Sequence, residues 1–340
     1  MNFSYTTNFY LNIAWYLFIA LCLFGISILL VKKFITIAYK YKVIDIPNDR
    51  SSHTLPTARG GGVVIVLLSE MLIVVLYYLG HLQLNVALAL SCSFIVSIVG
   101  FLDDLIKLSA KSRFVVQFVA SLIAVFLILP VNSNNLISIG TFWMSVIFIV
   151  WSTNLFNFMD GTDGLAAVEA IFVLVVSGFL LYLVTGNIGF SGCLALIGVI
   201  VSGFLCFNFP PARIFMGDVG SCFLGFLIGI SALISHFIFD ISGIFWLIIY
   251  GAFCFDATVT LSRRIISGEK WYLSHRSHAY QRLQNIGWQH KKILYGLIVI
   301  NCCLVVLACA GYYYDNLLAA SCGVLILLST VYLLIGSAQK

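Results

Sequence analysis

Residues 165–208 read LAAVEAIFVLVVSGFLLYLVTGNIGFSGCLALIGVIVSGFLCFN, and Glu169 is the one charged side chain among them. A helix that crosses a bilayer needs about 20 mostly apolar residues. This stretch holds two such runs, 165–184 and 190–208, joined by a short break around Gly186 and Asn187. Working outward on the same measure gives nine more: 12–31, 61–80, 85–101, 114–130, 139–156, 219–238, 242–262, 294–312 and 317–336. The sequence therefore predicts an all-α, polytopic membrane protein of about 11 transmembrane helices, a single integral membrane domain over 1–340. Several runs are short and closely joined, so nine, ten or twelve spans also fit the pattern.

Composition agrees. The 340 residues are 61% hydrophobic and 9% charged. A soluble domain carries about 25% charged residues. A chain this poor in charge cannot cover a soluble surface, which excludes a soluble globular protein, a disordered chain and a nucleic-acid-binding domain. The 28 Phe and 16 Tyr suit lipid-facing helices with interfacial anchors. The ten Cys show no CxxC or other metal-ligand spacing. Cys22, Cys92, Cys193, Cys222 and Cys254 lie in apolar runs, where Cys behaves as a small hydrophobe. The run 12–31 has no basic residue before it and ends at Lys32 and Lys33, so it reads as a span and not as a cleaved leader.

Charge placement gives the orientation. With eleven spans, the segments after spans 1, 3, 5, 7 and 9 share a side with the C-terminus. Lys32, Lys33, Lys40, Lys42, Arg50 and Arg59 lie in the first of these segments, and Lys107, Lys111 and Arg113 in the second. Arg213 lies in the fourth, and Arg263, Arg264, Lys270, Arg276, Arg282, Lys291 and Lys292 in the fifth. With Lys340 these are all 18 Lys and Arg of the chain. The positive-inside rule makes that side cytoplasmic.

Four polar constellations fall on the basic side. The first is Asp103-Asp104-Leu105-Ile106-Lys107, at the end of span 3. Adjacent carboxylates repel, and a bound cation or a retained proton lowers the cost. A solvated helix end explains them equally well. The second is Asn154-Leu155-Phe156-Asn157-Phe158-Met159-Asp160-Gly161-Thr162-Asp163-Gly164. Asn154 and Asn157 share a helix face, and amides facing lipid are costly. The glycines let backbone approach a ligand, and the next helix start offers N–H groups to an anion. An Asp N-cap explains Asp163 but not the whole set, and this loop has no basic residue to balance it.

The third constellation runs from Asn208 through Pro210, Pro211 and Phe215 to Gly217-Asp218-Val219-Gly220-Ser221. A carboxylate flanked by glycines at a helix start suits a hard cation shared with phosphate oxygens. Capping of span 8 by Asp218 is the competing explanation. The fourth is His275-Arg276-Ser277-His278, followed by Tyr280, Gln281 and Arg282. Its donors suit phosphate, and a patch for anionic lipid heads is the alternative, favoured for Arg263 and Arg264. A zinc site on the two histidines lacks a nearby Glu or Cys. Glu70, Glu169 and Asp256 sit in apolar runs, where ionisable groups point to function. Asp256 lies two turns before Arg263 and is placed to face the site, whereas Glu169 lies close enough to the interface to be merely wetted. His81, His236 and His290 have no partner in sequence and read as structural.

Taken in order, these residues resemble the polyprenyl-phosphate N-acetylhexosamine-1-phosphate transferase superfamily, in the branch that starts surface polysaccharides. The resemblance covers about 45–285 and rests on Pro47 to His53, Pro56 to Gly62 with Arg59, Asp103-Asp104, Asn154 to Leu165, Asn208 to Ser221 and His275 to His278. It implies transfer of a HexNAc-1-phosphate from a UDP-N-acetylhexosamine to undecaprenyl phosphate in the bacterial inner (cytoplasmic) membrane, with UMP released, as the first step of O-antigen synthesis. It implies Mg²⁺, with Mn²⁺ as a substitute, held by Asp218 with Asn157 as a further ligand. Asp103 would activate the lipid phosphate with Asp104 beside it, and Asp160 and Asp163 would complete the catalytic set. Arg59, Asn154, Asn157, Asn208, Phe215, His275, Arg276 and His278 would bind substrate. A homodimer is also a family expectation. The loop lacks the three-histidine run of the peptidoglycan translocase, and His-Arg-Ser-His-Ala-Tyr-Gln-Arg looks most like members that use UDP-FucNAc or UDP-QuiNAc. A UDP-GlcNAc-specific enzyme is the alternative within the class. A secondary transporter is a rival of another class, but transporters place polar groups near the midplane, often in repeats. A lipid-binding scaffold accounts for the basic loops but not for the Asp-Gly loops.

Overall fold

The structure is a computed structural model that describes residues 2–47, 56–129, 135–269 and 276–338, with side chains from residue 14 onward. Thirteen helices carry the described chain. They are α1 (Asn2–Lys40), α2 (Gly62–Tyr78), α3 (Leu84–Ile106), α4 (Ala110–Ile128), α5 (Leu136–Met159), α6 (Leu165–Thr185) and α7 (Ile188–Asn208). After them come α8 (Asp218–Phe237), α9 (Gly243–Ile249), α10 (Gly251–Ile266), α11 (Ala279–Asn285), α12 (His290–Tyr313) and α13 (Leu317–Ser337). The protein is an all-α polytopic membrane fold, as its apolar runs require.

Every one of the eleven expected segments is helical, but two differ from simple spans. Among the described residues nine helices are long and apolar enough to cross a membrane. The segment 61–80 forms α2, which has only 17 residues. The segment 242–262 is broken: α9 and α10 meet at 82° about Tyr250. Counting the bent pair as one span and adding α2 restores the expected eleven.

Helix ends follow local chemistry. Ser109 accepts the N–H of Ser112 at the start of α4 (3.1 Å), and Asn187 that of Phe190 at the start of α7 (2.9 Å). Each satisfies an amide that the helix itself cannot pair. Gly186 ends α6 in the left-handed region, which a residue without Cβ adopts freely.

The core is built around α8, which is buried along almost its whole length against α2, α3 and α5. Membrane helices associate through close packing of small residues. Gly225 and Gly229 lie against Ser152 and its neighbours on α5, and Ser152 donates to the Gly225 carbonyl (2.6 Å). At one end Gly62 abuts Gly220, so the starts of α2 and α8 touch backbone to backbone.

At that same end, short extended segments stitch the helix connections. β1 (Ile44–Asp45) pairs antiparallel with β2 (Thr57–Ala58), Ile44 opposite Ala58. Phe215 donates its N–H to Ala58 (2.8 Å), and Gly61 and Gly62 donate to Phe215 and Met216 (2.9 Å each). The connection after α7 is thereby fixed against the entry to α2. The ends of α3, α5, α7 and α10 and the starts of α2, α4, α6, α8 and α12 meet at this face. The basic segments are thus brought together on one side, as the charge parity requires.

Candidate active site

Four aspartates and two arginines form the centre of this face. Asp103 and Asp104 come from the last turn of α3, Asp160 from the end of α5 and Asp218 from the start of α8. Arg59 enters from the β2–α2 corner and Arg113 from the first turn of α4. Arg59 pairs with Asp104 (2.6 Å) and Asp218 (3.4 Å). Arg113 pairs with Asp103 (2.7 Å) and with the other oxygen of Asp218 (3.1 Å). Asp218 is therefore held between two guanidinium groups.

Asp103 and Asp104 do not act as a twin pair. Successive residues on a helix point in different directions. Asp103 faces Arg113 and accepts the N–H of Leu108 (2.6 Å). Asp104 accepts the N–H groups of Asp218 (3.2 Å) and Val219 (3.4 Å), so it caps α8 from a neighbouring helix. The Asp104 side chain is 3% exposed and that of Asp218 19%. Asp218 is thus the oxygen donor that a ligand can reach. Its own capping of α8 is not observed, because Gly217 occupies the N-cap and Asp104 takes the first amides. Gly217 has φ +76, and an added Cβ would stand 2.5 Å from Asp104 Oδ2.

Asp160 faces the same centre. Burial, with Asp218 beside it, pushes its carboxyl well above the usual carboxylate range, against the pull of Arg59. Burial also works against the Arg59 charge, but Asp104 and Asp218 outweigh it and raise its pKa. Four carboxyl groups face two guanidinium groups, so in their ionised forms they carry an excess of negative charge. That excess, with carboxylate and amide oxygens as donors, fits a small hard cation. Mg²⁺ is usually bound by one or two carboxylates, waters and substrate phosphates, so it needs no closed cage. Among the described residues no three His, Cys, Asp or Glu are grouped to hold a metal by themselves.

The remaining candidates surround this centre. Asn157 donates to Ser221 Oγ (2.9 Å) and ties α5 to α8, while Asn154 donates to Gln117 (2.7 Å) on α4. Asn208 is buried; it accepts from the Gly164 N–H (3.0 Å) and donates to the Ile214 carbonyl (2.8 Å), which braces two loops. Phe215 is half-buried, with its main chain in the extended pairing. Asp163 accepts the Ala212 N–H (3.0 Å) and pairs with His290 (3.2 Å) instead of capping α6, whose N-cap is Gly164.

The start of α11 is held by Asp256. Both its oxygens accept the Ala279 N–H at 3.0 Å, and His278 stands 3.8 Å away. His278 is buried and stacks between Phe158 and Tyr280. Tyr280 donates to the Phe158 carbonyl (3.1 Å) and its hydroxyl fills the space beside Gly161. Arg276 is exposed and lines a 320 Å³ polar pocket with Arg263, Arg264 and Arg282. His275 and the stretch Asn48 to Leu55 lie outside the described residues.

Several partners escaped the reading of the sequence. Arg113 was counted there only as a positive charge, although its place ten residues after Asp103 puts it on the next helix start. His290, expected to be structural and unpartnered, pairs with Asp163. Gln284 donates to Thr162 (2.7 Å) and Gln117 accepts from Asn154. Glu169, expected to be wetted at the interface, is fully buried.

Residues 86–236 match glycosyl transferase family 4. A probable undecaprenyl-phosphate N-acetylglucosaminyl 1-phosphate transferase of Bacillus subtilis (strain 168) is 32% identical over 220 residues, 58% of this chain and 58% of its own length. A phospho-N-acetylmuramoyl-pentapeptide-transferase of Wolbachia pipientis wMel is 33% identical over 175 residues, 45% of this chain and 53% of the relative. The Streptococcus pyogenes serotype M5 (strain Manfredo) protein of the same description is 34% identical over 153 residues, 40% of this chain and 45% of the relative. The chain spans about half the length of the curated relatives it matches. These relatives belong to the superfamily that the motifs resemble.

Proposed function

We propose that this chain, whose residues 86–236 form a glycosyl transferase family 4 region, transfers a sugar 1-phosphate from a UDP-sugar to a polyprenyl phosphate. An oxygen of the lipid phosphate attacks the β-phosphorus of the nucleotide sugar. The bond from that phosphorus to the bridging oxygen breaks, UMP leaves, and a lipid diphosphate sugar forms. The observation that carries the reading is the four-aspartate, two-arginine centre at the face where the described parts of the basic segments come together. Phosphoryl transfer is mostly positioning and charge neutralisation, and a lipid acceptor with a soluble donor requires a site at a membrane face. By charge placement that face is the cytoplasmic one.

Asp218 and Asp160, with Asn157 beside them, would hold Mg²⁺, with Mn²⁺ as a substitute. When bound there the ion neutralises phosphate oxygens. Arg59 and Arg113 keep the Asp218 carboxylate in one orientation. Asp103, linked to Asp218 through Arg113, would take a proton from the lipid phosphate once an incoming phosphate draws Arg113 away. Arg276, an exposed donor among the described residues, would reach the donor diphosphate, while buried His278 packs between Phe158 and Tyr280 beside it. The motif points to UDP-FucNAc or UDP-QuiNAc as the donor, and the likeness to the Bacillus N-acetylglucosaminyl 1-phosphate transferase favours UDP-GlcNAc as the second reading.

The test is transfer of label from β-³²P UDP-sugars to undecaprenyl phosphate in membranes. Label should enter the lipid phase with Mg²⁺ and disappear with EDTA or in Asp218→Asn. The donor that transfers fastest assigns the sugar. Absence of transfer from every UDP-HexNAc by folded protein refutes the reading.

A further inference from the structure

The polar pocket lined by Arg263, Arg264, Arg276 and Arg282 lies where the end of α10, the short α11 and the far part of α13 meet. The transferase reading uses Arg276 alone of the four. Two of the others face Tyr332 on α13. The guanidinium carbon of Arg282 stands 4.9 Å from the ring centre and that of Arg263 5.8 Å, and Arg263 also donates to the hydroxyl at 3.1 Å. Arg264 pairs with Glu269 at 2.7 Å. Among the described residues Glu269 is the one acidic side chain that lines the pocket. Residues 270–275, which come next in the chain, read KWYLSH and contain no acid. Like charges gathered around one small cavity repel, and an anion between them removes that cost. A guanidinium group presents its donors in a planar fork that matches phosphate oxygens.

An apolar cavity adjoins this pocket, with Tyr332 in the wall of both. It measures 620 Å³ and runs between α10, α12 and α13, with Trp288, Ile300 and Ile335 among its walls. Val299 and Leu334 also line it, and each is 62% exposed, so the cavity is a groove open toward the outside of the bundle. Outside these helices lies hydrocarbon. A cationic polar pocket beside an apolar groove suits a ligand with a phosphate head and a hydrocarbon tail.

We propose that this is a binding site for an anionic glycerophospholipid, with its phosphodiester among Arg263, Arg264 and Arg282 and its acyl chains along the groove between α10, α12 and α13. Charge complementarity favours that occupant. Basic pockets between membrane helices take anionic headgroups from the leaflet they face, and by charge placement this face is the cytoplasmic one. The acceptor of the proposed transfer is also a lipid phosphate, but it must reach the acidic centre. None of Asp103, Asp104, Asp160, Asp218, Arg59 and Arg113 lines either cavity. The site therefore holds a lipid that is not consumed. Bound there, the lipid ties the end of α10 to α11 and α13 beside Arg276. The site stands on its own charge and shape, whether or not the chain transfers a sugar phosphate.

The experiment takes the full chain in a neutral detergent and counts retained lipids by native mass spectrometry. The titrants are phosphatidylglycerol, phosphatidylcholine, undecaprenyl phosphate and inorganic phosphate. Wild type should bind phosphatidylglycerol roughly tenfold more tightly than phosphatidylcholine, and the preference should shrink as ammonium acetate is raised. Arg263→Gln combined with Arg264→Gln should weaken phosphatidylglycerol about tenfold and leave phosphatidylcholine unchanged. Ile300→Trp, which fills the groove, should weaken both. Thermal unfolding in the same detergent checks that each variant is folded. The wild-type preference and its salt dependence need no variant, and they decide the matter if the substituted proteins do not fold. Equal affinity for the two phospholipids in wild type overturns the proposal. So does phosphatidylglycerol binding that the two Gln substitutions leave unchanged. Displacement of phosphatidylglycerol by inorganic phosphate at equal concentration would make the site one for a free anion. Displacement by equimolar undecaprenyl phosphate would make it part of the acceptor's path. Either result overturns the proposal as well.

Discussion

Replacing Arg113 by Ala removes both ion pairs on one side of the site. Its guanidinium donates to Asp103 at 2.7 Å and to Asp218 at 3.1 Å. The Arg113 side chain is 33% exposed, so neither pair is deeply buried and each is worth about 1 kcal/mol, the upper end for accessible pairs. Together they hold Asp218 in place with about 2 kcal/mol. If that orientation is used in the transition state, losing it lowers kcat/KM roughly 30-fold, at about 1.4 kcal/mol per decade. Arg113→Lys keeps the charge but is a point donor that cannot span both carboxylates, so it should recover only part of the loss. The sign of the cation effect separates this account from a loss of metal binding. Removing a positive charge beside the acidic centre should lower, not raise, the Mg²⁺ concentration for half-maximal rate. Transfer assays over a Mg²⁺ titration at saturating lipid phosphate measure both numbers. Activity within threefold of wild type, or a raised Mg²⁺ requirement with unchanged kcat, would refute the reasoning.

The other predictions follow from the same contacts. Asp104→Asn weakens the cap of α8 and the pair with Arg59, and should destabilise the protein by roughly 2 kcal/mol, more than Asp103→Asn does, as read by thermal unfolding in detergent. Gly161→Ala should displace Tyr280 from the Phe158 carbonyl and abolish transfer, and Tyr280→Phe in the same chain should restore part of it, since the hydroxyl is what meets the added Cβ. EDTA should stop transfer reversibly, with Mg²⁺ or Mn²⁺ restoring it and unfolding in EDTA remaining cooperative. Because the folded-state pKa of Asp160 lies above its unfolded value, the folded protein binds the extra proton. Metal-free stability should therefore decline as pH rises from the usual carboxylate range through that raised value, and Asp160→Asn should flatten the slope.

The membrane architecture was legible because a bilayer imposes a length and a polarity on every element, and the distribution of Lys and Arg marked which helix ends belong to one side. The broken ninth span was not. Residues 242–262 contain no proline, and Gly251 beside Tyr250 is a weak marker in a glycine-rich membrane chain. Such a bend is set by what packs around it, and α9 and α10 lie against α5, α6, α8, α12 and α13, most of them far away in sequence. At the site, the acidic residues could be found from their motifs, but their division of labour could not. Asp103 and Asp104 are adjacent in sequence yet meet different helices. The glycines beside Asp218 marked a close approach, and the structure locates it in Gly62, Gly220 and Asp104.

That division of labour also narrows where a cation can sit. Asp104 is occupied by the start of α8 and by Arg59, and Asp256 by the start of α11. Asp163 is taken up by the Ala212 amide and His290. Asp103 is occupied by Leu108 and Arg113. Among the described residues none forms an ion pair with Asp160, and Asp218 is bound only by arginine side chains at 3.1 and 3.4 Å. Oxygens paired to buried main-chain amides are costly to recruit, because the amide would be left unsatisfied. Guanidinium groups a third exposed can turn to water or to an incoming phosphate. The two arginines offset part of the negative charge of the four aspartates. They also leave Asp160 and Asp218 as the pair that a cation would claim at least cost, and their exposed guanidinium groups would be open to an incoming phosphate.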